Sequence, residues 1–398
     1  MLLFQLYWTE RIAMKVKRLD GIPGFSIDRV AAAAGNDKDV LRLENLDTDL
    51  LPPASAIQAV KDAADDDDSN SYLPFTGRIE LCQAVSDRIF RDSGHRYDPE
   101  TEVVITSGGT EGVFDSLLAT IDVGDEVILT DLTYAGLINR TRLAGGIPKL
   151  VPFRIIDGEW RLDLDVLRKT VTEKTKAFLI MSPSMPSGAV LNREEWEAIA
   201  SICIEKNLWL IYDAAMEKIL YKNRPLIHPA SLPGMAERTI TVGSVSKEYR
   251  MIGWRLGWVA APESILKDIA LVHIYNVVTP TGLTQVAANN ALREPEEDIK
   301  QAVAEWERRH DFIVQELEGL PVIPAAGGWS LLLDVKKMGY DSFEASDRLL
   351  DYGKIAATPM RDWGQENSDA YVRFVFSNEP VERLRDIRER VLKALPPK

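Results

Sequence analysis

The sequence contains only two cysteines and four histidines. Cys82 and Cys203 lie far apart within apolar segments, which favours two reduced, buried thiols in a cytoplasmic protein over a disulfide framework. The histidines show none of the short spacings that zinc ligands usually have. The sequence therefore predicts neither a disulfide scaffold nor a metal centre.

Long hydrophobic runs and an excess of positive charge are also absent. The opening MLLFQLYW is too short to cross a bilayer, and no basic residues precede it as they would in an export signal. Forty-seven Lys and Arg face 61 Asp and Glu, for a net charge of −14, whereas a nucleic acid or an anionic membrane requires a basic face. We therefore expect a cytoplasmic protein with neither nucleic acid nor membrane as a partner.

What the 398 residues do contain, with 45% of them hydrophobic, is enough apolar material for two or three domains. From about residue 102, short β-branched runs alternate with amphipathic helical stretches, which is typical of a mostly parallel sheet covered by helices on both faces. The runs are EVVITS (102–107), EVILT (126–130), PKLVPF (148–153), AFLIMS (177–182), LWLIYD (208–213), TITVGS (239–244) and LGWVAA (256–261). We predict an α/β fold with a mostly parallel, seven-stranded sheet.

The pattern changes near residue 285, where a long charged helical stretch is followed by the alternating strands WSLLLDV and YVRFVFS. This change predicts a smaller α+β domain at residues 286–398. The large domain would then span residues 51–285, and residues 1–50 would form an N-terminal arm that belongs in part to the small domain.

Two strand-to-helix loops contain candidate ligand-binding residues, because such folds bind ligands at the carboxyl ends of parallel strands. In TSGGTEGV (106–113), glycines and a helix N-terminus favour a phosphate, although a tight turn alone would also need glycine. In GSVSKEYRMIGWRLGW (243–258), Lys247 lies next to an apolar strand end. A lysine there either forms a Schiff base with a ligand or is a solvated loop residue.

The motif S-x-S-K, followed eight residues later by Arg in GWRLG, resembles the cofactor-lysine signature of the class I/II aminotransferases. These are fold type I enzymes that depend on pyridoxal 5′-phosphate (PLP). Further matching landmarks occur in the same order: LENLDTDLLPP, TGRIELCQAV, SGGTEG, GDEVILTDLTYAG, SPSMPSGAVLN, IYDAAMEKILY and AYVRFVFS. The resemblance covers about residues 41–377 and implies fold type I, PLP as cofactor and an α-amino acid as substrate.

The resemblance also implies a role for individual residues. Lys247 would form the aldimine with PLP and move the proton that leads to the quinonoid intermediate. Asp213 would pair with the pyridine nitrogen, although without the resemblance it would be interpreted as a helix N-cap. Arg373 would clamp the substrate α-carboxylate in bidentate fashion, and Trp329 would contact the substrate. The phosphate would be held by Gly109, Thr110, Ser244 and Arg255.

Two tyrosines match family positions as well. Tyr134 would stack on the cofactor ring, whereas without the resemblance it would be interpreted as a core aromatic. Tyr72 would reach the phosphate of the neighbouring subunit, which implies a homodimer with shared active sites.

The sequence departs from the family pattern at Met185 and Met216. These positions usually hold the Asn and Tyr that donate to the phenolic oxygen O3′ of the cofactor, and a methionine cannot donate. Without these donors, we expect the pKa of the Schiff base to be raised, unless Thr133 or Tyr249 takes over the donor role.

Three functions therefore remain open. The first is a PLP-dependent aminotransferase acting on an α-amino acid. The second is a PLP enzyme of altered reaction type, which performs β- or γ-elimination or replacement, cyclisation or oxidation of a functionalised or cationic amino acid. The acidic run Asp65–Asp68 would attract a cationic substrate or simply face water. The third is a non-catalytic sensor of PLP or an amino acid, which the presence of all the matched charged residues disfavours.

Overall fold

The computed structural model describes residues 16–24, 26–365 and 368–396. The segment MLLFQLYW and the remainder of the first fifteen residues of the predicted arm lie outside the described residues. Within the described part of the chain, no helix is both long enough and apolar enough to span a bilayer.

Strands and helices alternate along most of the chain. The strands are β1 (Leu41–Arg42), β2 (Val103–Thr106), β3 (Glu126–Asp131), β4 (Ile147–Ile156), β5 (Glu159–Leu162), β6 (Thr175–Met181), β7 (Trp209–Asp213), β8 (Thr239–Ser244), β9 (Gly257–Ala260), β10 (Val322–Ile323), β11 (Ser330–Asp334), β12 (Ile355–Ala356), β13 (Thr358–Pro359) and β14 (Tyr371–Val375). The α-helices are α1 (Ser26–Ala34), α2 (Ala54–Ala63), α3 (Ile79–Ser93), α4 (Gly109–Thr120), α5 (Ala135–Leu143), α6 (Leu164–Thr170), α7 (Arg193–Lys206), α8 (Glu263–Asn276), α9 (Gly282–Arg293), α10 (Glu296–Glu316), α11 (Ser342–Gly353), α12 (Val381–Leu384) and α13 (Ile387–Ala394).

The large sheet has eight strands in the order β2-β9-β8-β7-β6-β3-β4-β5. The five strands from β8 to β4 run parallel, while β9 is antiparallel to both of its neighbours and β5 is antiparallel to β4. The mostly parallel α/β sheet is therefore confirmed, and each of the seven predicted runs forms a strand. The eighth strand, β5, was missed because EWRL is short and half charged, and it forms only as the return arm of a hairpin through Asp157 and Gly158.

The central strands are buried on both faces. Every residue of β3, β7 from Leu210 onward and β8 is buried, because helices cover the sheet on each side as the near-continuous apolar runs predict. Helix α4 packs against β8, β9 and α8. It follows β2, which runs in the same direction as β8 because β9 is antiparallel to both, so its N-terminus lies at the carboxyl edge of the sheet. This arrangement brings a helix start and several strand ends to one place.

A second, antiparallel sheet of order β10-β11-β14-β13 forms from the C-terminal part of the chain, with α11 and α13 packed together beside it. The short strand β1 pairs in parallel with β12, so Leu41 lies opposite Ile355. On β14, Arg373 lies opposite Leu332 of β11 on one side and Thr358 of β13 on the other. A central strand of this smaller sheet therefore fixes the backbone of the candidate carboxylate-binding arginine.

Candidate active site

A cavity opens where the parallel strands of the large sheet end and the smaller sheet faces them. Met181, Asp213 and Ser244 are the last residues of β6, β7 and β8, and the first two lie directly opposite each other in the strand register. Arg373 reaches the same cavity from β14. The site thus lies at the carboxyl edge of the parallel strands, as expected for such sheets.

One end of the cavity is suited to bind an anion. The N-terminal residues of α4, Gly109 and Thr110, face it, and the free amides at a helix N-terminus attract negative charge. A Cβ placed on Gly108, whose φ is +81°, would lie 2.5 Å from Nη2 of Arg255. Arg255 itself has a φ of +53°, and its Nη1 donates to the carbonyl oxygen of Ile252 at 2.8 Å.

Ser244 completes this end. Its hydroxyl oxygen lies 2.7 Å from that of Ser246 and 3.1 Å from the carbonyl oxygen of Leu256, and it accepts the amide proton of Ser246 at 3.0 Å. The two hydroxyls are therefore held in fixed positions beside the helix N-terminus and Arg255.

Asp213 is the one carboxylate that lines the cavity among the described residues. It accepts the amide proton of Ala215 at 3.1 Å. Burial raises the pKa of Asp213 to about 6, while the amide and the positive charges of Arg140 and Lys247 act in the opposite direction. The group is therefore poised to be a buried anion opposite a cationic ligand atom.

Lys247 lies in the loop after β8. Its Nζ donates to the carbonyl oxygen of Leu46 at 3.0 Å and lies 5.1 Å from the ring centroid of Trp329. Burial lowers the pKa of Lys247 to about 8; Asp47 opposes this, and the positive charges of Arg373 and Arg255 add to it. An appreciable fraction of this amine is therefore uncharged near neutral pH, as a nucleophile requires.

Arg373 is a completely buried cation. Its Nη2 donates to the carbonyl oxygen of Glu44 and, at 3.2 Å, to Oγ1 of Thr358, and its Nη1 lies 3.5 Å from Sδ of Met185. Burial lowers its pKa to about 10, and Nε has no hydrogen-bond partner. A buried guanidinium with a free donor and no carboxylate within ion-pair distance, among the described residues, is suited to bind an anionic ligand group.

Tyr134, which lines the cavity, packs against the buried Trp363. The ring of Tyr134 lies 5.7 Å from that of Trp363, centroid to centroid, and Trp363 in turn lies 4.8 Å from the guanidinium carbon of Arg373. The half-buried Tyr134 lines the cavity. A planar ligand between Tyr134 and the strand end at Asp213 would therefore contact an aromatic face.

The two methionines occupy different places. Met185 lines the cavity, whereas Met216 is buried behind it, with its Cε 3.2 Å from a Cβ placed on Gly328. The suggested substitute Tyr249 has its hydroxyl bound to Arg88 at 2.9 Å. Within the described part of the chain, neither Tyr249 nor Thr133 lines the cavity.

Most of the predicted site residues come together in this cavity. Those that line it are Gly109, Thr110, Tyr134, Met185, Asp213, Ser244, Lys247, Arg255 and Arg373. Trp329 is buried beside Lys247 rather than in the lining. Tyr72 lies outside the cavity of its own chain, with 85% of its surface exposed.

Among the lining residues that the sequence reasoning did not single out are Ile27, Asn45, Leu46 and Arg140. Asn45 and Leu46 belong to the landmark LENLDTDLLPP, which offered a signal. Arg140 is one of two arginines in the last turn of α5, and nothing in the sequence distinguishes it from a solvated charge.

Taken together, the cavity fits a ligand with a phosphate at one end and a flat ring carrying a basic nitrogen in the middle. The close approach at Gly108 and the buried carboxylate of Asp213 are the observations that support this fit. Lys247 lines the same cavity and could form a Schiff base with a carbonyl group carried by such a ring. A carboxylate on a second ligand would reach Arg373.

Comparisons with known proteins agree with this description. The family model described as aminotransferase class I and II matches residues 38–391. An aspartate aminotransferase of Pyrococcus abyssi is 33% identical over 382 residues, which cover 94% of this chain and 97% of that protein. An arginine–pyruvate transaminase of Pseudomonas aeruginosa is 32% identical over 351 residues, or 86% of each chain. The solved structure of N-succinyldiaminopimelate aminotransferase from Mycobacterium tuberculosis is similar with a TM-score of 0.90 at 29% identity, covering 95% of this chain and 99% of that one.

Proposed function

The chain belongs to the class I and II aminotransferases, and on that premise we propose how its residues bind PLP and an α-amino acid. The enzyme is a PLP-dependent aminotransferase, as its relatives are. The observation that carries the residue assignments is the meeting of Lys247, Asp213, Arg255 and Arg373 in one cavity. Four further cavities among the described residues lack this combination.

We assign the phosphate of PLP to the N-terminus of α4. Gly109 and Thr110 would offer main-chain amides there, Ser244 a hydroxyl and Arg255 a forked cationic donor. Tyr134 would cover one face of the ring. Asp213 would accept from the protonated ring nitrogen, which the carboxylate stabilises by charge.

PLP, when bound, supplies a ring that accepts the electron pair left when the substrate α-carbon loses its proton. Lys247 carries the amine that holds the cofactor and then moves the proton at the α-carbon. Its uncharged form acts as the base, and the depressed pKa makes that form accessible. Arg373 orients the substrate by binding its α-carboxylate through the free Nε and a terminal nitrogen.

Met185 would hold this arginine in place. Its sulfur accepts a weak hydrogen bond from Nη1 of Arg373, so the guanidinium is oriented by a thioether rather than by an amide. The oxygen O3′ of the cofactor would then receive no donor from either methionine position. This supports the expectation of a raised pKa for the cofactor Schiff base, which a pH titration of the cofactor absorbance tests.

The same observation favours a second candidate reaction. Met185 places a thioether where relatives have an amide, and Met216 lies outside the lining, so this edge of the cofactor would lack both usual donors. This difference would suit elimination, replacement, cyclisation or oxidation of a functionalised or cationic amino acid. The acidic run at residues 65–68, in which all four aspartates are exposed, would attract the cationic substrate.

We also propose a homodimer with shared active sites. Tyr72 and Tyr275 each expose more than four-fifths of their surface, and Phe75 between them is half exposed. The carbonyl oxygen of Phe75 lies 3.0 Å from Nε2 of His273 on α8, which ties these exposed aromatics to one face. Sedimentation equilibrium tests the dimer, and coexpression of Tyr72→Phe with Lys247→Ala tests the sharing, because a hybrid would contain one intact site.

A cytoplasmic location is supported by the state of the two cysteines. Cys82 and Cys203 are both buried free thiols, which suits a reducing compartment. Fractionation of cells that express the full chain tests this assignment.

One experiment tests the central assignment and separates the two reactions. Borohydride reduction of the PLP-loaded protein followed by peptide mapping should label Lys247, and Lys247→Ala should carry no label. The loaded protein is then incubated with a panel of amino acids without an oxo-acid acceptor. A single conversion per site supports transamination, whereas continued turnover supports the second candidate, and a label elsewhere contradicts the assignment.

A further inference from the structure

The charges that line the cavity are unbalanced. Four cations line it, namely Arg140, Lys247, Arg255 and Arg373, whereas Asp213 is the one carboxylate among the described lining residues. The proposed function gives three of the cations a ligand: the cofactor carbonyl carbon, the phosphate and the substrate carboxylate. Arg140 has none.

Arg140 is folded against the wall of the cavity. It lies on α5, its guanidinium carbon is 5.8 Å from the ring centroid of Tyr134, and a Cβ placed on Gly136 would come within 2.4 Å of its Nη1. The guanidinium can therefore occupy this position only because residue 136 has no side chain. With the described residues it makes no hydrogen bond or ion pair that would neutralise it.

The charge of Arg140 acts on Asp213. Two cationic groups oppose the effect of burial on that carboxyl, Arg140 from α5 and Lys247 from the loop after β8, and Arg140 has the larger effect. The charged groups that act on Lys247 are Asp47, Arg373, Arg255 and Asp213. Arg140 and Asp213 line the same cavity, and Arg140 lies beside Tyr134, the residue proposed to cover the cofactor ring.

We propose that Arg140 is a positioning residue for the cofactor, which keeps Asp213 in its carboxylate form so that the ring nitrogen of PLP meets an anion. This inference rests on the proposed pairing of Asp213 with that nitrogen. A buried carboxyl without a nearby cation takes up a proton, and a protonated acid cannot stabilise a cationic ring nitrogen. Arg140 forms no ion pair with Asp213, so it would favour the ionised form of that carboxyl through its charge alone.

The test measures cofactor binding rather than activity. The probe is 4′-deoxypyridoxine 5′-phosphate, which lacks the aldehyde and so cannot bond to Lys247, and its dissociation constant for the apoenzyme is measured by calorimetry from pH 5.5 to 8. We expect Arg140→Leu to shift the acidic limb of the profile up by about one pH unit, which weakens binding about threefold near pH 6.5 and nearly tenfold near pH 5.5. Arg140→Lys should restore most of the binding, since it keeps the charge.

Two further variants separate the possible results. Arg142→Leu is the matched control, because Arg142 lies on the same helix but donates to the carbonyl oxygen of Gly21 and to Asn139 outside the cavity; it should bind the probe like the wild type. In an Asp213→Asn background, Arg140→Leu should have no further effect on the pH profile. Both Asp213→Asn proteins should still show the pH dependence that comes from titration of the probe's own phosphate.

The inference is overturned if Arg140→Leu binds the probe like the wild type at every pH, or if it causes the same loss in the Asp213→Asn background. If Asp213→Asn alone leaves binding and its pH profile unchanged, the proposed pairing of Asp213 with the ring nitrogen fails instead. Thermal unfolding of each variant verifies that the partly buried position tolerates the change.

Discussion

Replacement of Arg88 by Met should destabilise the protein strongly, because Arg88 neutralises two buried carboxylates. The side chain is 2% exposed on α3, and its terminal nitrogens donate to Glu217 at 3.0 Å, to Glu248 at 2.6 Å and to the hydroxyl of Tyr249 at 2.9 Å. The second carboxylate oxygen of Glu217 already lacks a partner. Removing the cation leaves two desolvated acids, which costs about 3–5 kcal/mol.

The loss should depend on pH with a defined sign. Burial raises the pKa of Glu217 to about 8 and raises that of Glu248 as well, against the opposing effect of Arg88. An acid whose pKa is higher in the folded than in the unfolded state contributes stability at low pH and loses it as pH rises through the folded value. Without Arg88 these values rise further, so the deficit of Arg88→Met should be larger at pH 8.5 than at pH 6. For Glu217 the increase begins near its folded pKa of about 8, and it amounts to at most about 1.4 kcal/mol per pH unit for each acid.

Differential scanning calorimetry of the apoenzyme at fixed protein concentration measures the effect. For a chain of this length, 3–5 kcal/mol corresponds to a decrease in Tm of roughly 4–6 °C. Arg91→Met is the matched control on the same helix, because Arg91 is half exposed and 3.8 Å from Glu296, and such pairs contribute less than about 1 kcal/mol. An equal Tm for the two variants at pH 8.5, or an equal deficit of Arg88→Met at pH 6 and pH 8.5, would refute the reasoning.

Three further predictions concern the cavity. Gly108→Ala places a Cβ 2.5 Å from Arg255 at a φ of +81°, so we expect at least tenfold weaker retention of PLP in equilibrium dialysis; unchanged retention would contradict the proposed phosphate site. Arg373→Gln should raise KM for the amino acid about 10- to 100-fold, since a hydrogen bond to a charged group contributes about 1.5–3 kcal/mol, and steady-state kinetics with an unaltered KM would rule out that role. Capture of PLP by the apoenzyme, followed by stopped-flow absorbance, should accelerate as pH rises through about 8, where Lys247 loses its proton; a rate that falls over that range would show that the amine is not the nucleophile.

The strand pattern and most of the site could be predicted because their signals are local. A buried parallel strand needs an unbroken apolar run, and a residue such as Asp213 directly after that run must lie at the carboxyl edge of the sheet. Asp213 and Ser244, which end two of the predicted runs, both line the cavity. Strand β5 was missed because its pairing depends on a hairpin partner and not on its own composition.

Arg140 and Leu46 show the limit of sequence reasoning. Arg140 reaches the cavity because Gly136 leaves room one turn earlier on α5, and that contact appears only when side chains are placed. Leu46 accepts from Lys247 through its main-chain oxygen, and a carbonyl has no sequence signature. The cause in both cases is a long-range contact between elements whose separation along the chain conveys nothing about their distance in space.

The backbone conformation of Arg255 is unfavourable for any residue with a Cβ, whereas its side chain has a proposed role in binding phosphate. A φ of +53° is the left-handed region, where a residue with a Cβ costs about 1–2 kcal/mol that glycine would not. Selection for stability alone would therefore favour Arg255→Gly, and selection for cofactor retention would oppose it. Libraries screened only for thermal tolerance should enrich this substitution and yield well-folded proteins that can no longer hold PLP.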